Sequence, residues 1–250
     1  MDVTLTIPAA GRGTRLSLKN SGGPKVMIPV GGRPLLEFVL EAGMRVPLNR
    51  IVIVIGVGGE QIQGHFGTSY HGVPILYVTQ PEPLGLAHAV SMSERYVTDA
   101  MLVINGDEIF LDNRHSEMYR FIEESDADGL VGFLRTSETE RIQIGYGMDL
   151  EADGRVLKLV EKPKAAWNDI LGVGTWFVRR DFFEFYSRTR ISETRGERDF
   201  VDVLQLMVDE GKSVYGFDLK GEFINLNRPE DLTRAEALLG RRARAAGVLR

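Results

Sequence analysis

No cysteine occurs among the 250 residues. Disulfides, thiolate metal ligands and a cysteine nucleophile are therefore excluded. No run approaches the ~18 consecutive apolar residues of a membrane span, so neither a transmembrane helix nor a membrane partner is expected. The opening segment, MDVTLTIPAAG, carries no basic stretch and no long apolar core. A signal peptide is not expected there, and a cytoplasmic location is. Basic charge is not in excess: the formal net charge is −5. General nucleic-acid binding favours a basic face and is not expected either. Internal repeats, low-complexity stretches and linkers are lacking. What is present, 43% hydrophobic and 26% charged residues, is ordinary for a globular enzyme.

Residues 3–8 form an apolar run with β-branched Val3, Thr4, Thr6 and Ile7, and read as a buried strand. Pro29-Val30-Gly31-Gly32 is a turn, and Pro34 opens a helix to about residue 44. Residues 51–55 (IVIVI) are continuously apolar, the mark of a strand covered on both faces. A short helix with Gln61 and Phe66, a strand at 74–78, a helix at 85–96 and a strand at 101–105 follow. This alternation, to about residue 134, predicts a mostly parallel sheet between helices. Beyond Gly132 the pattern changes. Strands at 146–150 and 155–160 flank Ala152-Asp153-Gly154, a hairpin-type turn. Further strands at 171–178, 213–217 and 222–225, and helices at 181–187, 200–210 and 229–244, complete the chain. One α/β domain over 1–250 is expected, with a first part to about 134, a second part at about 135–228 and a C-terminal helix at 229–250.

The chemistry starts at the loop after the first strand, TIPAAGRGTRLSLKNSGGPK. Small residues at Ala9, Ala10, Gly11 and Gly13 let the backbone approach a bulky polar group. Loop N–H donors, the Arg15 guanidinium and the Lys25 ammonium are what a polyphosphate requires. A strand followed by G-x-G is also compatible with a plain tight turn. Leu16 stands where a dinucleotide loop has its third glycine, and no G-K-[ST] follows. A dinucleotide-dependent oxidoreductase and a P-loop are thereby set aside.

Four other stretches carry possible chemistry. In Q-P-E-P-L-G-L-A-H, prolines stiffen a loop before Gly85 starts a helix. The Gln80 amide can donate and accept, as a pyrimidine imide edge does; a surface turn is the plainer reading. His88 reads from the residues alone as a helix-face histidine packed near that loop. Asp107, at the carboxyl end of a buried strand, suits a hard cation such as Mg²⁺. Glu108 beside it reads as a ligand or as a cap of the next turn. Glu161-Lys162-Pro163 reads from the residues alone as a solvated ion pair at a strand end. Arg241-Arg242-Ala243-Arg244 reads as a solvated helix end complementing the dipole.

The complete string A-A-G-x-G-T-R-L followed by P-K resembles the sugar-1-phosphate nucleotidyltransferase family, also called nucleotide-sugar pyrophosphorylases. Matches run in order along nearly the whole chain. The resemblance implies a Rossmann-like three-layer sandwich of the nucleotide-diphospho-sugar transferase type, with a small mixed β lobe. It implies that Ala10, Gly11, Gly13 and Thr14 wrap the triphosphate, with Arg15 and Lys25 on its oxygens. Gln80 and Gly85 then fall in the base pocket, where Gln resembles the uridylyl- and thymidylyltransferases more than the guanylyl branch. Asp107 matches the metal-binding Asp of the family's G-D element. Asn225 stands where most members have the second metal-binding Asp, and some uridylyltransferases of amino sugars an Asn. Gly147 of the Y-G element and Glu161 and Lys162 of E-K-P fall on the sugar phosphate; Gly174 and Thr175 close its pocket. Arg195 is one of several arginines able to reach the phosphate.

The implied reaction is Mg²⁺-dependent transfer of a nucleotidyl group from UTP or dTTP to a hexose 1-phosphate. Transfer from another triphosphate, or to a non-sugar phosphate, is the alternative within enzymes. A catalytically silent, nucleotide-sensing relative is the alternative outside them, and Asn225 is the feature that keeps it open. A homo-oligomer is compatible with the sequence, which carries no signature of an interface.

Overall fold

The structure, a computed structural model, describes residues 1–11, 23–112, 114–193 and 196–245. The first half lays down β1 (Val3–Ala9), β2 (Pro29–Val30), β3 (Arg33–Pro34), α1 (Leu35–Gly43), β4 (Arg50–Ile55), α2 (Gly59–Phe66) and β5 (Ser69–Tyr70). It continues with β6 (Val73–Thr79), α3 (Leu86–Ser91), β7 (Ala100–Ile104), β8 (Glu108–Phe110), α4 (His115–Glu124) and β9 (Gly129–Arg135). The second half adds α5 (Thr139–Ile144), β10 (Tyr146–Leu150), β11 (Val156–Glu161), β12 (Ile170–Arg179) and α6 (Phe182–Arg188). Then come α7 (Phe200–Asp209), β13 (Val214–Asp218), β14 (Phe223–Asn225) and α8 (Pro229–Ala245).

The alternation builds a 10-stranded sheet. β1 pairs in parallel with β4 on one side and β7 on the other, and β4 pairs in parallel with β6. β12 crosses antiparallel to β7, β9 and β10. Taken together, β1, β4, β6, β7, β9, β10 and β13 run one way; β5, β11 and β12 run the other. The chain steps outward from β1 through β4 to β6, then returns to β7 on the far side. Connections therefore diverge between β1 and β7, and a crevice opens at the carboxyl ends of those strands.

The apolar pattern explains the layering. In β4, Ile51, Ile53 and Ile55 face one core with Leu36, Val39 and Leu40 of α1. Val52 and Val54 face the opposite side, with Val78 and Ala89. Each such fully buried side chain stabilises the fold by roughly 1.5–3 kcal/mol. Helix α1 buries a second face, Leu35 and Phe38, against Ile109, Ile224 and Leu238.

Three local readings change. The helix expected over 85–96 stops at Ser91, and residues 94–96 form a 3₁₀ turn. The buried Ser93 hydroxyl donates to the Val90 carbonyl at 2.7 Å and receives the Thr6 hydroxyl at 3.2 Å, a local alternative to continuing the helix. The turn at 29–32 is the tip of the β2–β3 hairpin, with Gly31 and Gly32 at φ 57° and 83°. The segment after Asp107 is strand β8, which pairs antiparallel with β14 across more than a hundred residues of chain.

His115, at the start of α4, is completely buried, with Nε2 3.4 Å from the Thr175 hydroxyl. Burial pushes its imidazole down to about 3. The unfolded chain takes up a proton near pH 6.5 that the folded chain refuses, so stability is full above that pH and falls below it. From pH 7.5 to 5.0 this group should cost about 2 kcal/mol of unfolding free energy. Denaturant titrations of the wild type and His115→Gln at both pH values test this. The wild type should lose that much more than the variant; equal losses would contradict it.

Candidate active site

Two cavities meet in the crevice. One, about 350 Å³, is lined by Ala9, Ala10 and Gly11 at the end of β1, by Lys25, by Gln80 and Gly85, and by Asp107 after β7. The other, about 500 Å³, is lined by Tyr146, Glu161, Lys162, Gly174, Asn225 and Asn227 among others. Leu86 and Asn105 line both. Gly13, Thr14, Arg15 and Arg195 lie outside the described residues.

Close backbone packing shapes the first cavity. A Cβ on Gly106 would come within 2.9 Å of the Pro8 carbonyl, and one on Gly56 within 2.7 Å of the Ala10 carbonyl. Lys25 is held by its main-chain N–H, which donates to the Gly11 carbonyl at 3.3 Å. Its ammonium donates to Asp107 Oδ2 at 2.6 Å and to Asn227 Oδ1 at 3.0 Å. A polar chain continues from there. Asn227 Nδ2 donates to Asn225 Oδ1 at 2.7 Å, and Asn225 Nδ2 to Glu108 Oε1 at 3.3 Å.

Glu108 is neither exposed nor a simple turn cap. It is buried, and both carboxylate oxygens accept from the Gly174 N–H, at 3.0 and 2.8 Å. Burial, then the charge of Asp107, raises its pKa well above the usual carboxylate range; the Gly174 N–H, the Asn105 amide and Lys25 oppose that shift. Gly174 is required here, because a Cβ would lie 2.0 Å from Asn105 Nδ2.

Gln80 is buried in the lining of the first cavity. Its Nε2 donates to the Gly85 carbonyl at 3.3 Å and to His88 Nδ1 at 2.9 Å. His88 thus fixes the amide, with the imidazole proton on Nε2. Both amide hydrogens are engaged, which leaves Gln80 Oε1 free to accept a further hydrogen bond. Gly85 adopts φ 92°, and Glu197 crowds the place of its missing Cβ.

On the second cavity, Lys162 sits at φ 47° with its N–H donating to the Gly145 carbonyl at 2.7 Å, and its ammonium lies 3.3 Å from Glu161. Tyr146 packs against Gly172 and donates to the Val173 carbonyl at 2.8 Å, while Trp176 Nε1 donates to the Tyr146 oxygen at 3.0 Å. Two expected pocket residues fall elsewhere. Gly147 lies under Trp167 and Ile142, and Gly145 and Gly172 are the glycines at the wall. Thr175 is fully buried against His115, behind the wall that Gly174 forms. Both follow from strand alternation, since each is one residue from a side chain facing the cavity.

Asn105 and Asn227 join the site without having been singled out. Asn227 had a readable signal: it follows Asn225 by two residues, the spacing that returns to one face of an extended chain. Asp107 Oδ2 and Asn227 Oδ1 face the Lys25 ammonium, and Asn225 Oδ1 lies next in the chain, accepting from Asn227 Nδ2. Among the described residues no three His, Cys, Asp or Glu side chains form a metal cluster. The set still fits Mg²⁺, which takes one or two carboxylates and completes its shell with substrate oxygens and water.

A family model described as Nucleotidyl transferase matches residues 6–240. The UTP–glucose-1-phosphate uridylyltransferase AglF of Haloferax volcanii is 30% identical over 233 residues, 92% of this chain and 94% of that one. The D-glycero-alpha-D-manno-heptose 1-phosphate guanylyltransferase of Aneurinibacillus thermoaerophilus is also 30% identical, over 92% and 95%. The bifunctional protein GlmU of Methanococcus vannielii is 32% identical over 92% of this chain but 53% of its own length. The chain thus spans about half the length of the GlmU relatives it matches. A solved UDP-glucose pyrophosphorylase in complex with UDP-glucose superposes with a TM-score of 0.86 at 22% identity, covering 97% of this chain and 100% of that one. At that identity the likeness is one of fold, and it agrees with the parallel-cored sheet described above. With a family match running from the first strand into the last helix, the chain belongs to the nucleotidyl transferase family.

Proposed function

We propose that the chain transfers a nucleotidyl group from UTP or dTTP to a hexose 1-phosphate and releases pyrophosphate. The observation that carries this reading is the junction of two cavities at Asn105, with Lys25 and Asp107 on one side and Glu161 and Lys162 on the other. A triphosphate in the first and a sugar phosphate in the second would bring an α-phosphorus against a phosphate oxygen. That oxygen attacks in line; its bond to phosphorus forms as the bond to the β-bridging oxygen breaks. Pyrophosphate leaves with the electron pair. The attacking oxygen is already anionic near neutral pH, so no general base is needed, and the work is positioning and charge stabilisation. Lys25 and Arg15 offset triphosphate charge, and Lys162 steers the incoming phosphate. Bound Mg²⁺ would neutralise phosphate charge, held by Asp107 with Asn225 and Asn227.

Gln80 Oε1 supports a base with an imide N–H, as in uracil and thymine. Guanine offers an N–H at the comparable edge, so GTP belongs in any test. A cytoplasmic setting goes with this reading, because both substrates are soluble anions. Among the described residues no helix is long and apolar enough to cross a membrane.

A matrix of ATP, CTP, GTP, UTP and dTTP against several sugar 1-phosphates, scored by pyrophosphate release, tests the proposal. UTP or dTTP should lead with at least one hexose 1-phosphate. Triphosphate binding without release from any pair would favour the sensing alternative. Lys162→Ala should raise the KM for the sugar phosphate and lower kcat, together roughly tenfold or more in kcat/KM. Triphosphate affinity should hardly move; an equal loss there would remove Lys162 from the acceptor side.

A further inference from the structure

Behind the acceptor cavity lies a smaller hollow of about 230 Å³. Arg141, Leu171, Phe223 and Arg234 line both spaces, so the two adjoin there. Arg135 and Arg241 complete a ring of four guanidiniums around the hollow. They come from separate elements: Arg135 from the end of β9, Arg141 from α5, and Arg234 and Arg241 from α8. On α8 the spacing 234, 238, 241 sets Arg234, Leu238 and Arg241 on one face, with Leu238 buried at the floor.

The counter-charge is small. Among the described residues Glu222 is the one carboxylate lining the hollow, and it accepts from Arg242 Nε at 3.3 Å. Arg135 is paired with Asp169 at 2.7 Å. Arg141 has Glu138 only at 3.9 Å, and stands over the Phe223 ring at 5.8 Å. Burial first, with the charge of Arg234 also contributing, lowers the pKa of Arg141; Glu138 and Asp231 oppose the shift. A protein of net charge −5 has here gathered four cations around one engaged acid. Guanidiniums in fixed forks match the oxygens of a carboxylate or phosphate.

The acceptor cavity carries its own mixed charges: six acids, Glu108 and Glu161 among them, and four cations, Lys162, Arg228 and the shared Arg141 and Arg234. Lys162 is assigned to the 1-phosphate. Arg135 and Arg241, which line the hollow and not the acceptor cavity, are surplus to a neutral hexose. We propose that this hollow receives a second anionic group, a carboxylate or a phosphate, carried by the acceptor sugar away from C1. The acceptor class is then an acidic sugar 1-phosphate. This inference rests on the nucleotidyl-transfer reading for the assignment of the neighbouring cavity.

Calorimetric binding in the presence of a non-hydrolysable UTP analogue tests it, with glucose 1-phosphate, glucuronic acid 1-phosphate and glucose 1,6-bisphosphate as probes. At least one doubly acidic probe should bind roughly tenfold or more tighter than glucose 1-phosphate. That gap should close in Arg234→Gln and in Arg241→Gln. Arg241 lines only the hollow, so Arg241→Gln should leave glucose 1-phosphate affinity unchanged. Equal affinities in the wild type, or a gap that survives both substitutions, would overturn the proposal. Inorganic phosphate binding that depends on Arg241 but leaves all three sugar affinities equal would also overturn it, by showing a free anion as the occupant. Pyrophosphate release with UTP is read separately. Its failure with every acceptor would sink the nucleotidyl-transfer reading, while the affinity gap still decides this one.

Discussion

Lys25→Ala should lower kcat by roughly 100- to 1000-fold, the scale for removing one preorganised charged donor from a transition state. The lysine is 13% exposed and bridges Asp107 and Asn227 at once. On the proposed reading its loss takes a cation from the triphosphate, and it also frees Asp107 and the Asn227–Asn225 chain. Lys25→Arg should recover little, because a planar fork cannot place one donor between two oxygens as an ammonium does. Circular dichroism should show both variants folded, since the contact lies at the strand ends and not in the core. Near-normal kcat in a folded Lys25→Ala protein would remove Lys25 from the reaction.

The second large effect is structural and reaches the site. Gly174→Ala would put a methyl 2.0 Å from Asn105 Nδ2 and 2.6 Å from Glu108 Oε1. Neither can yield easily. Glu108 is buried and takes two hydrogen bonds from the same Gly174 N–H. Overpacking with damage to a buried hydrogen bond should cost about 3 kcal/mol and lower Tm by roughly 5–10 °C. Activity should fall as well, because Glu108 supports Asn225 and Asn105 borders both cavities. Gly64→Ala is the control. It lies in helix α2 with nothing within 4 Å of the added carbon, and should be neutral or gain up to about 1 kcal/mol. Similar behaviour of the two variants would mean the cradle around Gly174 is not tight.

How much of this was legible in the sequence differs between the sheet and the site. Periodicity is a local property, so IVIVI, the apolar run before the glycine loop and the Asp-Gly hairpin could be read as elements with nearly their observed bounds. The positions of Ala10, Gly11 and Asp107 follow, because each stands just past the end of a strand in the parallel core, whereas Lys25 opens a separate 3₁₀ turn at Lys25–Met27. The union of Asp107 with Asn225 does not follow. It depends on the β8–β14 pairing, two three-residue strands more than a hundred residues apart, too short to show any pattern. The exact faces of β10 and β12 were also hidden. Glycine says nothing about which side of a strand it serves, so Gly147 and Thr175 were placed one residue off the cavity wall that Gly145, Gly172 and Gly174 form. His88 and Arg241 show the converse. A helix-face histidine and a basic helix end were the plain readings; the fold turns the first onto Gln80 and the second onto a hollow beside the acceptor cavity.

The most direct measurement is phosphorus NMR of the purified protein with UTP, glucose 1-phosphate and Mg²⁺, repeated with dTTP and with an acidic sugar 1-phosphate. A nucleoside-diphosphate sugar and pyrophosphate should appear one for one in at least one mixture, and not when Mg²⁺ is chelated. Formation of UDP and inorganic phosphate in place of these products, or no conversion in any mixture, would contradict it.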